Sequence, residues 1–204
     1  MCKVSRTFVL VLAMFISPSF AVTFGFSNIT NNSGIAATLA SEFTLDVTES
    51  GANAVFTLNN NSTEDAFINQ IYWDDNASTL GGFVSLESGY STPARPKNLP
   101  AGNTVGFTAN FSVKGNPPAP THGINEGDTG SFTLSLLSGV TFNDVIAALY
   151  DGTLRLGIHV QGIELYEHDY SESFVSSVPE PSTYLLFGLG LISLMLYRKH
   201  SLKA

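Results

Sequence analysis

The sequence predicts an all-β domain of the β-sandwich class. Segments in which apolar and polar residues alternate follow one another along the chain, as half-buried strands require. Loops rich in Asn, Ser, Gly and Pro separate these segments, and one segment alone carries helix signals. Roughly seven short strands with frequent turn signals are typical of immunoglobulin-like and jelly-roll sandwiches, and the pattern does not distinguish the two.

The individual strands follow from this alternation. The stretches 43–47 and 54–58 lie on either side of the turn 49–52 and predict a β-hairpin. The segment 104–113 predicts a half-buried strand because five apolar side chains share one face: Val105, Phe107, Ala109, Phe111 and Val113. Further strands are predicted at 67–73, 132–136 and 154–160, the first of them buried on both faces.

One short helix is predicted over residues 141–150. Capping residues open this segment, Asp144 lies in its first turn, and Gly152 follows its end. A helix of two to three turns is consistent with these start and stop signals.

The N-terminal segment predicts a secretory signal peptide over residues 1–21. Lys3 and Arg6 precede the apolar run 8–16, and the small-x-small pattern that follows ends at Ala21. Signal peptidase is therefore expected to cleave after Ala21. The lone cysteine, Cys2, leaves with this segment, so we expect no thiol or disulfide in the mature domain, 22–177.

The C-terminal segment, 178–204, predicts a short transmembrane helix over 182–197. Arg198 and Lys199 follow the apolar run and indicate a cytoplasmic end, because basic residues resist translocation. About 16 residues cover only ~24 Å of a hydrocarbon core ~30 Å thick. Such a helix is a marginal permanent anchor, so we expect its membrane insertion to be transient.

Pro179, Glu180 and Pro181 form a rigid extended segment just before this helix, because proline stops helix growth upstream. The Pro-Glu-Pro box, the Leu- and Gly-rich stretch 185–191 and the basic end together resemble the PEP-CTERM sorting signal of Gram-negative bacteria. The resemblance implies recognition by exosortase, a membrane enzyme thought to cleave near the box and to pass its substrate towards the cell surface and its exopolysaccharide. The resemblance covers 178–204 alone.

The charge of the central segment restricts its partners. All 17 acidic residues lie between positions 22 and 181, against four basic ones, which gives −13 before histidines; the basic residues are Arg95, Lys97, Lys114 and Arg155. Such a field repels nucleic acid and anionic lipid, so neither is an expected partner.

The sequence contains no recognised catalytic motif, so we expect no enzymatic activity and no cofactor. It contains no Gly-x-Ser-x-Gly elbow, no His-Glu-x-x-His and no phosphate-binding glycine-rich loop. The candidates for a cation site are Glu164, Glu167 and Asp169, which could supply the oxygen ligands that Ca²⁺ prefers. A glycosidase-like pair of carboxylates, such as Glu164 with Glu167 or Asp74 with Asp75, stays open as an alternative, because the separation of the two groups depends on the fold.

Two further expectations concern ring-bearing side chains. Tyr72, Trp73 and Tyr90 are candidates for sugar binding, because aromatic rings beside polar loops hold sugars in sandwich modules. His159 lies opposite the apolar set of its strand and is expected to be exposed or hydrogen-bonded. The leading hypothesis is a non-catalytic, exosortase-sorted protein of the cell surface or exopolysaccharide matrix, with a carbohydrate-binding module and a glycoside hydrolase-like enzyme as alternatives.

Overall fold

The computed structural model describes residues 21–118, 121–165 and 167–177. Within these ranges the chain forms ten β-strands, two α-helices and one 3₁₀-helix. In chain order they are β1 (Val22–Asn28), α1 (Ala36–Ala40), β2 (Phe43–Ser50), β3 (Asn53–Asn60), β4 (Phe67–Asp75), β5 (Leu80–Ser85), β6 (Tyr90–Ser91), the 3₁₀-helix (Gly102–Val105), β7 (Phe111–Gly115), β8 (Thr129–Leu136), α2 (Phe142–Asp151), β9 (Leu154–Leu165) and β10 (His168–Ser177).

The strands form one antiparallel sheet with the order β5-β8-β3-β2-β1-β10-β9-β4-β7-β6. Strand β1 joins its two halves. The start of β1, from Val22 to Phe24, pairs with β2, whereas the segment from Gly25 to Asn28 pairs with β10. The first strand of the described fold therefore lies in the middle of the sheet.

The sheet curls so that its two halves face each other across one core. The Trp73 ring on β4 lies 5.9 Å from the rings of Phe56 and Phe132, which belong to β3 and β8 in the other half. Phe43 on β2 and Phe174 on β10 make a similar contact at 5.2 Å. The predicted β-rich fold is confirmed, but the strands form one continuous curled sheet in place of the two separate sheets of a sandwich.

The predicted hairpin is confirmed in register. Leu45 is the cross-strand partner of Leu58, and Val47 is the partner of Phe56. All four side chains are buried, because the period of two directs them to the same face of the sheet.

The predicted strand 104–113 is mostly wrong. A 3₁₀-helix occupies Gly102–Val105, strand β7 begins only at Phe111, and the Val105 side chain is 40% exposed. Phe107 is fully buried, but it packs on the outer face of the sheet and not in the main core. The alternation reflects a loop that contributes single apolar residues to a second cluster.

This second apolar cluster attaches residues 92–110, which we call the covering segment, to the outer face of the sheet. Leu99 and Phe107 of the covering segment pack on Tyr72 of β4 and Val175 of β10. Gly157 on β9 makes this approach possible, since a Cβ there would lie 2.8 Å from a Leu99 methyl and 3.1 Å from the Phe107 ring.

The predicted helix is confirmed as α2, with Thr141 as its N-cap. The Thr141 hydroxyl accepts a hydrogen bond from the Asp144 N–H, and the Asp144 carboxylate accepts one from the Thr141 N–H, which is a complete capping box. Gly152 ends the helix in the left-handed conformation. The short helix α1, which packs beside β1, was not predicted.

The predicted terminal segments fall largely outside the described residues. These segments are the signal peptide up to residue 20, the Pro-Glu-Pro box, the membrane helix 182–197 and the basic stop. Among the residues that the structure describes, no helix is both long and apolar enough to cross a membrane.

Candidate functional site

The two ends of the domain meet in the middle of the sheet. Ser177, the last residue of β10, is the cross-strand partner of Gly25 on β1. Val22, which follows the predicted cleavage site at Ala21, pairs with Val47. One residue, Val178, separates Ser177 from the Pro-Glu-Pro box. The box therefore follows the folded sheet with almost no linker.

An acidic cleft of about 480 Å³ is a candidate site in the described part of the chain. Four carboxylate side chains line it: Asp65, Glu126, Glu164 and Asp169. Glu164 and Asp169 are cross-strand partners on β9 and β10, so the hairpin places them directly opposite each other. The β3–β4 loop and the loop before β8 supply the other two acids. Asn125, Ala66, Phe67 and Gly162 complete the wall.

The cleft brings together two of the three proposed cation ligands. Glu164 and Asp169 line it, whereas Glu167 occupies the hairpin turn with φ of 66° and is not part of the wall. Across residues 21–118, 121–165 and 167–177, no three His, Cys, Asp or Glu side chains are arranged to hold a metal ion. The acids give the cleft a negative field without forming a coordination shell.

The carboxylates of Asp74 and Asp75 are both bound to other groups of the protein. Both side chains are buried in β4, which extends two residues beyond the predicted strand 67–73. The Asp74 carboxylate pairs with the Arg155 guanidinium, and Asp75 accepts hydrogen bonds from the Thr79 N–H, the Thr79 hydroxyl and the Leu80 N–H. These contacts fix the turn between β4 and β5, so neither acid is available as a glycosidase-type group.

The three aromatic side chains that were candidates for sugar binding are buried. The exposed fractions of Tyr72, Trp73 and Tyr90 are 1%, 0% and 6%. Trp73 lies in the main core, and the Tyr90 hydroxyl donates to the Ile68 carbonyl. Burial raises the pKa of Tyr90, and it raises the pKa of Tyr72 to about 12.

His159 also differs from its expected environment, because it is 9% exposed and its Nδ1 has no hydrogen-bond partner among the described residues. It lies on the outer face of β9 between Gln70 and Ser173 on the neighbouring strands. Alternation suggested a solvated face, but the covering segment and adjacent side chains bury the centre of that face. Desolvation lowers the pKa of the imidazole.

A small polar pocket on the same outer face was missed at the sequence level. It has a volume of about 110 Å³ and is lined by Gln70, Tyr72, Pro93, Lys97, Ser112, Val113 and Lys114. The one signal that could have indicated it is the rarity of basic residues in this domain, since two of the four lie here. Their convergence depends on the path of the covering segment, which local pattern does not predict.

The protein belongs to the class in which a β-rich domain is followed directly by a short C-terminal sorting segment. Residues 177–199 match the model of the PEP-CTERM protein-sorting motif, which includes Pro179, Glu180, Pro181, Arg198 and Lys199. The chain thus carries a PEP-CTERM sorting motif, which indicates an exported protein targeted to exosortase. No curated protein and no solved structure matches the chain significantly.

Proposed function

We propose that this is a non-catalytic protein of the cell surface or extracellular matrix of a Gram-negative bacterium, associated with exopolysaccharide in a biofilm. Signal peptidase removes residues 1–21, the C-terminal segment enters the inner membrane transiently, and exosortase then sorts the domain outward. The observation that carries this proposal is the PEP-CTERM motif at residues 177–199.

The position of the chain ends supports this route. Gly25, which lies three residues after the start of β1, pairs with Ser177 at the end of antiparallel β10, so the two ends of the domain lie at the same end of this strand pair. Adjacent ends are compatible with a chain whose two terminal segments both enter the same membrane during export.

The composition of the domain suits a hydrated matrix. A net charge of −13 before histidines over residues 22–181 keeps copies of the domain apart in solution. Most of the buried apolar residues lie in one core. Burial of this apolar surface stabilises the exported domain, which has no cysteine to form a disulfide.

The sorting step is tested by replacing the box with P179A/E180Q/P181A in cells that contain exosortase. We expect the variant to remain full-length in the inner membrane, whereas the wild-type protein reaches the outer surface or the medium. Fractionation followed by immunoblotting measures both pools. A strain without exosortase should retain the wild-type protein in the same way.

The matched control is E49Q, which removes one carboxylate at the exposed end of β2, far from the box in sequence. It should be sorted like the wild type. Full-length wild-type protein in the inner membrane of exosortase-containing cells would refute the sorting proposal.

The acidic cleft keeps a glycoside hydrolase-like enzyme as the second candidate. Glu164 and Asp169 are cross-strand partners and both line the cleft, and directly opposed residues on antiparallel strands have Cβ atoms about 5 Å apart, so the two carboxylates are close enough to be considered as a glycosidase pair. Incubation with a panel of polysaccharides decides between the candidates. The non-catalytic proposal predicts no new reducing ends, whereas release by the wild type that E164Q and D169N abolish would establish the hydrolase.

A carbohydrate-binding module built on Tyr72, Trp73 and Tyr90 has no support in this geometry. The three rings are buried. The Tyr90 hydroxyl donates to the Ile68 carbonyl, and the Trp73 ring packs against Phe56 in the other half of the sheet. A glycan array with neutral oligosaccharides should therefore give no signal that depends on these three residues.

A further inference from the structure

The polar pocket of about 110 Å³ lies on the outer face of strands β4 and β7. Gln70 is the cross-strand partner of Lys114, and Tyr72 is the partner of Ser112, so these four side chains point to the face opposite the main core. The covering segment contributes Pro93 and Lys97. Two strands and the covering segment, anchored by Leu99 and Phe107, thus build the pocket.

The pocket wall consists mainly of hydrogen-bond donors. Lys97 and Lys114 supply ammonium groups, and within the described ranges neither has a carboxylate within 4 Å. The Tyr72 hydroxyl donates to the Gln70 side-chain carbonyl, which leaves the Gln70 amide group free to donate elsewhere. No acidic residue lines the pocket.

Ser112 provides an independent sign of a missing ligand. The residue is 5% exposed and lines the pocket, yet its hydroxyl has no hydrogen-bond partner among the residues that the structure describes. A buried hydroxyl without a partner is unfavourable, because it has lost its hydrogen bonds to water. A ligand with acceptor oxygens in the pocket would satisfy it.

The local charge contrasts with that of the whole domain. The four basic side chains of residues 22–181 all lie in the covering segment or on β7 and β9. Arg155 is neutralised by Asp74 and donates to the Val105 and Gly106 carbonyls, so it fastens the covering segment in place. The other three are without a carboxylate partner among the described residues. Because no acidic residue lines the pocket, the two lysines give it a local positive charge.

We propose that this pocket binds a small oxyanion group, such as a carboxylate, sulfate or phosphate, held by Lys97, Lys114 and the Ser112 hydroxyl. The volume is smaller than the ~150 Å³ of a cavity that holds one benzene ring, so it admits the charged group but not a sugar ring. The group could be free in solution or carried by an acidic saccharide. This binding goes beyond the sorting function, which does not require it.

The proposal is tested by isothermal titration calorimetry on the exported protein purified from cells. The probes are sodium sulfate, sodium phosphate, an oligogalacturonate and, as the neutral control, an oligogalactose. We expect binding of at least one oxyanion probe, weakened by added NaCl, and no heat from the neutral sugar. Binding of sulfate or phosphate indicates a free ion as the ligand, whereas binding of the oligogalacturonate alone indicates a saccharide-borne carboxylate.

The variants assign the binding to this pocket. K97Q/K114Q should weaken binding about tenfold or more, and S112A should weaken it several-fold while leaving the melting temperature equal or higher. The matched control R95Q removes one positive charge from the same segment at a residue that does not line the pocket. It should change the affinity less than twofold.

Two results would overturn the proposal. One is the failure of all three oxyanion probes to bind at millimolar concentration and low salt. The other is an equal loss of affinity in R95Q and K97Q/K114Q, which would show that binding depends on general charge and not on the pocket. Neither result bears on sorting, which the box variants test separately.

Discussion

Buried polar side chains of this domain fall into two groups according to their partners. The Glu172 carboxylate is fully buried, and it accepts hydrogen bonds from the Thr30 hydroxyl and from the N–H and hydroxyl of Ser33. Those contacts fasten the loop after β1 to β10. Ser112 and His159, in contrast, carry buried atoms without partners in the described structure. Both lie on the outer face of the sheet, so this face has polar groups that the fold itself does not satisfy.

His159 should make stability depend on pH. Burial lowers the pKa of its imidazole in the folded state, so the unfolded chain takes up a proton first as the pH falls. The full contribution to stability is present above the unfolded pKa of ~6.5 and is lost as the pH falls towards the lower folded value. We expect the free energy of unfolding, measured with urea at pH 5 to 8, to fall on the acid side.

The H159F variant should show a flatter pH profile over this range, because it removes the titrating group. The exposed His168 offers the matched control, and H168F should keep the wild-type slope. An identical slope in the wild type and H159F would rule out His159 as the source.

Helix α2 shows which elements local sequence determines. Its N-cap, its capping box and its terminal glycine are all interactions within a few residues, and each was readable in the sequence. The hairpin of β2 and β3 is equally local. The segment 104–113 differs, because its apolar and polar residues alternate like those of a strand but its first half pairs with no strand in the described structure. Arg155 donates to the Val105 and Gly106 carbonyls and so holds this half as a loop.

The capping box gives a prediction for the stability of α2. T141A removes the hydroxyl that accepts from the Asp144 N–H, and such a loss costs about 1 kcal/mol. Chemical denaturation measures the change in the free energy of unfolding. T121A is the control, since this exposed threonine lies in a loop outside any strand or helix. A T141A variant as stable as T121A would contradict the importance of the cap.

At the scale of the whole molecule, the β-rich class and the sorting segment could be predicted from the sequence, whereas the sites of the domain could not. The sorting motif is contiguous, so residues 177–199 suffice to recognise it. The acidic cleft combines Asp65, Glu126 and the β9–β10 hairpin, and the polar pocket combines β4, β7 and the covering segment. Long-range pairing brings these residues together, and a single sequence does not encode that pairing in any local pattern.

The central position of β1 predicts where the mature chain begins. Cleavage after Ala21 keeps Val22, Thr23 and Phe24, which pair with β2. Cleavage further into the strand would remove sheet hydrogen bonds and the buried Phe24 ring. Mass spectrometry of the exported protein should therefore find Val22 at the N-terminus. A terminus beyond Phe24 would contradict this prediction.

The pairing of β1 with β10 also sets the timing of folding during export. If the chain crosses the membrane N-terminus first, as the proposed signal peptide implies, β1 emerges early, and its residues Val22–Phe24 can pair with β2 before β10 arrives. The backbone of Gly25–Asn28 has no partner until β10 emerges, and the last paired residue of β10, Ser177, is also the first residue of the motif match. The sheet closes only when nearly the whole domain has crossed. Completion of the fold and arrival of the sorting motif at the membrane therefore coincide, and a chain truncated before β10 lacks both.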